Sequence, residues 1–218
     1  MVGEAKLETV RPKILDGVSW EELKRCGIPA HQLYVAINRE LPTIPIELAK
    51  QYARKINSTP HNVLLLMGDT GTGKTVLGIR YMVKLIADGY SPPIYIPSYI
   101  LSAILRGEMK IVRTYHPLLG YATEFTATYN RKDGEVIALE ELGHRYGVIM
   151  IDDLRGDEVK VFNTLVEQVY QSGAKLIVTT NLKPTEFKKY VEDRASSRLE
   201  DIGYALQLEG QDLRRCKR

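Results

Sequence analysis

The stretch Gly68-Asp69-Thr70-Gly71-Thr72-Gly73-Lys74-Thr75 constrains this chain more than any other. Three glycines in six residues let the backbone curl so that its N–H groups converge on one anion, and a helix starting at the end of the curl presents its positive pole to the same point. Lys74 is placed to reach the β- and γ-phosphates of a nucleotide, and the Thr75 hydroxyl to reach Mg²⁺. Val76 continues the helix, and its stripe of Val76, Ile79, Val83 and Ile86 predicts a helix over 74–87. The loop is preceded by the continuous apolar run Val63–Met67, as expected of a strand covered on both faces. That strand–loop–helix context separates a phosphate site from an ordinary glycine-rich turn.

The rest of the chain alternates in the same way. Ile94–Ile96, Val148–Ile151, Lys175–Thr179 and Tyr204–Leu208 read as further strands. Helices are predicted over 98–105 with Ser98 as cap, over 135–146, over 157–171 ending at Gly173, and once or twice within 184–198. Five strands separated by helices predict an α/β, three-layer P-loop NTPase with a parallel sheet. Residues 107–134 are the least regular part. Residues 1–44 form a short helical N-terminal segment ahead of an ATPase domain over 45–218, with helical patterns near Trp20–Arg25, Ala30–Glu40 and, within the domain, Pro45–Ile56.

Three later patterns suit the same chemistry. In Val148-Ile149-Met150-Ile151-Asp152-Asp153, an apolar strand delivers two carboxylates to the carboxyl edge of the sheet, where ligands bind in open α/β folds. Asp152 can hold Mg²⁺ and Asp153 can orient an attacking water; solvated acids at a strand end are the plainer alternative. In Leu176-Ile177-Val178-Thr179-Thr180-Asn181, Asn181 can touch a γ-phosphate as a nucleotide sensor, or simply form a turn before Pro184. In Asp193-Arg194-Ala195-Ser196-Ser197-Arg198, the two arginines share one helix face. Arg198, and after it Arg194, can be offered to a neighbouring subunit as an arginine finger. The alternative is a solvated basic face paired with Glu192 or Asp201.

Taken in order, GDTGTGKT, VIMIDDL, LIVTTN and DRASSRLEDIGYALQLEGQDLR resemble the AAA+ ATPases of the DnaC/DnaI helicase-loader type, with the IstB transposition helpers as close relatives. The resemblance covers roughly residues 45–215. It implies the strand order 5-1-4-3-2, a site for ATP and Mg²⁺ built from Lys74, Thr75, Asp152, Asp153 and Asn181, and a finger at Arg198. Arg214 matches the closing G-x-D-x-R pattern. It further implies a homo-oligomer formed on ATP binding, single-stranded DNA, and a replicative helicase as partner. No helical lid domain is expected after the last strand. A transposition helper and a monomeric P-loop kinase are the rival readings, and the Asn181 and Arg198 patterns argue against the kinase.

Composition limits the rest. A net charge of +3 requires any nucleic-acid surface to come from local clustering. Residues 113–132 offer such a cluster in Arg113, Tyr115, His116, Tyr121, Phe125, Tyr129, Arg131 and Lys132; aromatics tucked into the core would explain it as well. Trp20, Leu23, Ile28, Leu33, Val35 and Ile37 either dock a partner or cover the core. Cys26 and Cys216 have no metal-ligand spacing. No secretory signal is apparent and no apolar run approaches the ~18 residues of a membrane span, so a cytoplasmic location is expected.

Overall fold

The computed structural model describes residues 18–37, 46–58, 60–116, 120–129 and 134–210. Three helices come first: α1 (Trp20–Arg25), α2 (Ala30–Ile37) and α3 (Ile46–Ser58). β1 (Val63–Gly68) then feeds the glycine-rich loop and α4 (Lys74–Ala87), followed by β2 (Pro93–Pro97) and α5 (Ser98–Leu105). An antiparallel insertion of β3 (Met109–His116), β4 (Gly120–Ala127) and β5 (Glu135–Ile137) follows. The chain returns through α6 (Leu142–Arg145), β6 (Val148–Leu154), α7 (Val159–Ser172), β7 (Lys175–Thr180), α8 (Pro184–Phe187), α9 (Asp193–Ile202) and β8 (Gly203–Leu208).

The main sheet runs β2-β6-β7-β1-β8, all pairs parallel. Counting only these five strands in chain order, the arrangement is 5-1-4-3-2, as the resemblance implies. Side chains of successive strand residues point to opposite faces, and here both faces are covered. Leu64, Leu66, Tyr95, Met150 and Ile177 face α1, α2 and α4, while Val63, Leu65, Ile94, Ile149, Ile151 and Val178 face the layer that holds α5 and α7. Gly78 lets α4 lie close on the sheet, since a Cβ there would come within 2.6 Å of the Met150 methyl.

The N-terminal helices belong to this body. Leu23, Cys26, Ile28, Leu33 and Ala36 are buried in the same cluster as β1 and α4, with Trp20 packed at its margin. Arg80 of α4 donates to the Ala36 carbonyl at 2.7 Å. The turn between α1 and α2 also closes the exposed edge of β2, because the Tyr95 N–H donates to the Cys26 carbonyl at 2.7 Å. A free sheet edge is thereby covered.

Two local expectations fail for identifiable reasons. Glu135–Tyr146 is not one helix: Glu135–Ile137 pairs with β3, and a 3₁₀ turn at Leu139–Glu141 leads into the short α6. A three-residue strand is too brief to show a period of two, so the helical spacing of Leu139, Leu142 and Tyr146 dominates the pattern. Ser98 does not cap α5; Pro97 occupies the cap position, and the Ser98 and Ser102 hydroxyls donate instead to the buried Glu158 carboxylate. Gly173 does end α7, in the left-handed region at φ 75°.

If α1 and α2 are part of the core rather than an appendage, Leu33→Ala should cost about 2–5 kcal/mol of global stability. Urea unfolding followed by circular dichroism should show one transition at lower midpoint. A wild-type midpoint would contradict that placement.

Candidate nucleotide site

The site is assembled where four parallel strands end. At the close of β1, Gly68 has φ 142°, and a Cβ there would meet the Leu208 carbonyl oxygen of β8 at 2.3 Å. Only glycine satisfies both conditions. Gly71 and Gly73 also take positive φ, and Gly73 is the residue immediately before α4. Thr72 braces the loop by donating its hydroxyl to the Asp69 carbonyl at 2.9 Å. The loop from Asp69 and Thr70 through Thr72 therefore owes its shape to glycine conformation and to hydrogen bonds from the Thr72 hydroxyl and N–H to the Asp69 carbonyl.

Lys74 is buried, and its ammonium group donates to the carbonyls of Gly68 and Asp69, both at 2.7 Å, and to Asn181 Oδ1 at 2.8 Å. Asn181 in turn donates through Nδ2 to Asp153 Oδ1 at 2.6 Å. One amide at the end of β7 thus joins the loop lysine to the second carboxylate. Asn181 is a bridge across the site, which goes beyond a turn-forming role.

Asp152 is buried at the end of β6 and is satisfied by three hydroxyls. Thr75 and Thr179 donate to Oδ1, each at 2.7 Å, and Tyr95 donates to Oδ2 at 2.7 Å. Thr179 accepts the Asp153 N–H at 2.8 Å, which turns its own proton toward Asp152. Burial, followed by the Asp152 charge, pushes the Tyr95 phenol above its ordinary range.

Asp153 has φ 62°, the single non-glycine residue with positive φ among those described. The β6–β7 register breaks there, between Ile151 and Leu154, so the carboxylate leaves the strand line and meets Asn181. Desolvation and then the Asp152 charge raise its pKa, with Arg155 and Lys74 opposing. Such backbone positions cost of order 1–3 kcal/mol and concentrate at functional sites.

The donor set fits Mg²⁺. Thr75 and Asp152 supply hard oxygens, and Mg²⁺ is commonly held by one or two carboxylates together with substrate phosphates and water. Among the described residues there is no cluster of three or more His, Cys, Asp or Glu that could hold a metal alone. Beside the loop lies a cleft of about 440 Å³ lined by Gly68, Asp69, Asn181, Pro184, Gln207 and Gly210 among others.

Arg194 and Arg198 do not join this cluster in their own chain. Both turn to Glu167 on α7, at 3.0 and 3.8 Å, and the Arg198 guanidinium lies over the Tyr170 ring at 4.1 Å. The sequence suggested Glu192 or Asp201 as partners; the fold brings Glu167 instead. Arg214 lies outside the described residues. Sequence reasoning also missed Tyr95 and Gln32, because a tyrosine inside an apolar strand and a glutamine on a helix carry no motif.

The insertion divides the aromatic–basic cluster. Arg113 is tied to Glu135 at 2.7 Å and donates to the Arg145 carbonyl at 3.3 Å, and Phe125 packs against the core. Tyr115 and Tyr129 are exposed. Arg131, Lys132 and the side chains of His116 and Tyr121 lie outside the described residues.

No protein-family model matches the chain, and no curated protein matches it either. Solved structures do. DnaI shares 14% identity over 85% of this chain and 94% of its own, with a TM-score of 0.52. A putative primosome component from Streptococcus pyogenes serotype M3 shares 12% over 87% and 96%, with a TM-score of 0.53. The chain shares its fold with DnaI and with this primosome component. A DNA replication initiation factor also matches, at 18% identity, but the chain spans only 47% of its length and the TM-score is 0.45. Within this fold, Lys74, Thr75, Asp152, Asp153 and Asn181 occupy one edge of the sheet.

Replacing Asp153 by Asn would keep an acceptor for Asn181, suit the positive φ and remove a like charge beside Asp152. Asp153→Asn should therefore raise the melting temperature of the nucleotide-free chain by a few degrees. A lowered melting temperature in differential scanning calorimetry would show that the Asp153 charge stabilises the site.

Proposed function

We propose that this chain is an ATP-hydrolysing DNA replication factor that works as a helicase loader, assembling on ATP binding and acting on single-stranded DNA. The observation that carries the ATPase reading is the convergence of Lys74, Thr75, Asp152, Asp153 and Asn181 at the carboxyl edge. The loader reading draws on the fold shared with DnaI and with a putative primosome component.

In this reading the loop N–H groups and Lys74 hold the triphosphate, Lys74 exchanging its loop carbonyls for phosphate oxygens. Mg²⁺, held by Thr75 and Asp152, would neutralise charge on the phosphates. Asp153 orients the attacking water and accepts its proton. Asn181 keeps Asp153 and the γ-phosphate in one hydrogen-bonded line. Phosphoryl transfer asks for little beyond such positioning and charge stabilisation.

The site lacks a cation opposite Lys74 from its own α9, and Arg198 of an adjoining copy would supply one. Its present tether is weak: the Glu167 carboxylate oxygens and Arg198 Nε are buried without an aligned hydrogen bond. Release of Arg198 leaves Glu167 paired with Arg194 at 3.0 Å, so that carboxylate keeps a partner. Contact with a helicase by residues 1–44 would use the outward faces of α1 and α2, since their inward faces are in the core. That segment and the domain over 45–218 would then act as one body.

The test is ATPase rate per molecule against protein concentration, with and without single-stranded DNA. The rate should rise with concentration and with DNA, and Arg198→Ala should lower it by at least about tenfold while sparing nucleotide binding. A concentration-independent rate, equal in the variant and indifferent to DNA, would instead support a monomeric enzyme.

A further inference from the structure

The phenol of Tyr95 stands out among buried groups because nothing in the ATPase reading uses it. Tyr95 is fully buried, flanked in β2 by Ile94 and Ile96, and belongs to the same apolar cluster as Leu33, Cys26 and Met150. A phenylalanine would fill that space equally well. A buried hydroxyl costs stability unless it is hydrogen-bonded, so its partners indicate its use. One is Asp152 Oδ2 at 2.7 Å and the other is the side-chain amide of Gln32 on α2, in close contact.

A phenol has a single proton, and both contacts cannot be donations from it. A carboxylate is acceptor only, so the proton belongs to Asp152. The Gln32 amide must then turn its NH₂ toward the phenol oxygen, an orientation that swaps two atoms which are nearly indistinguishable in shape. The result is a directional chain: Gln32 donates to Tyr95, and Tyr95 donates to Asp152. With Oδ2 held in this way and Oδ1 held by Thr75 and Thr179, the carboxylate cannot rotate.

The origin of the chain is itself anchored. Leu33 and Ala36 bury α2 beside α4, the Ala36 carbonyl accepts from Arg80, and the Cys26 carbonyl accepts from the Tyr95 backbone. Main chain and side chain of Tyr95 are thus both set by the N-terminal helix pair.

We propose that Tyr95 is a positioning residue for the Asp152 carboxylate and that Gln32 sets Tyr95, so that the placement of α1 and α2 governs how well the site takes up Mg²⁺ with its nucleotide. The inference rests on the ATPase reading and adds to it a control point on the opposite side of the sheet from Arg198. A partner that shifts α2 would loosen Asp152 without touching the phosphate loop.

The experiment is equilibrium binding of a fluorescent ATP analogue to the full chain, titrated with Mg²⁺ and repeated in EDTA. Groups that hydrogen-bond a metal-holding carboxylate change metal affinity by 10–100-fold, so Tyr95→Phe should raise the Mg²⁺ needed for half-maximal binding by roughly tenfold. Affinity in EDTA should stay at the wild-type value, a split that general loosening of the fold would not produce. Gln32→Leu should move the Mg²⁺ requirement in the same direction by less. An unchanged requirement in Tyr95→Phe, or an equal loss with and without Mg²⁺, overturns the inference. An unchanged requirement in Gln32→Leu overturns the part assigned to α2. Should Tyr95→Phe fail to fold, Gln32→Leu decides. Wild-type protein that binds no nucleotide at any Mg²⁺ concentration overturns the ATPase reading, and this inference with it.

Discussion

The buried carboxylate of Asp152 is the constraint on which the rest of the site depends. A charge taken out of water costs several kcal/mol unless it is hydrogen-bonded. Here the compensation comes from Thr75 of α4, Thr179 of β7 and Tyr95 of β2, three neutral hydroxyls from three elements. Neutral donors satisfy the charge without cancelling it. The site therefore keeps a negative centre beside the loop that gathers phosphate, which is where a divalent cation is useful. The same contacts tie the first helix turn after the loop to the two strands that flank β6.

Around that centre the fold stores its irregularities. Asp153 breaks the β6–β7 register and takes a backbone conformation that most residues avoid, which brings its carboxylate to Asn181. Lys74 is drawn in from the other side by the same amide. The regular parts of the sheet are apolar on both faces, while the departures from regularity cluster where charge must be handled. Arg198 lies apart from this cluster, over the Tyr170 ring and beside Glu167.

What could be read from the sequence was what depends on local spacing. The loop, its helix over 74–87 and the strands carrying Asp152 and Asn181 are set by glycine conformation and by apolar runs that need no distant partner. The insertion was illegible because β3 is polar and apolar by turns on both faces and β5 is only three residues long. Glu167 as the partner of Arg194 and Arg198, and Gln32 as the partner of Tyr95, depend on tertiary packing across tens of residues. No periodicity announces such pairs. The N-terminal helices read as either a docking surface or a cover for the core; burial of Leu23, Ile28 and Leu33 shows that their inward faces are the cover.

The central claim is that Lys74, Thr75 and Asp152 form a Mg²⁺-nucleotide site, and a crystal structure with a non-hydrolysable ATP analogue and Mg²⁺ tests it most directly. The account predicts Lys74 Nζ withdrawn from the Gly68 and Asp69 carbonyls onto phosphate oxygens. Thr75 and Asp152 should hold the metal, with Tyr95 still bonded to Asp152 Oδ2. An analogue bound elsewhere, or one seated on the loop with Lys74 unmoved and no metal at Asp152, would contradict it.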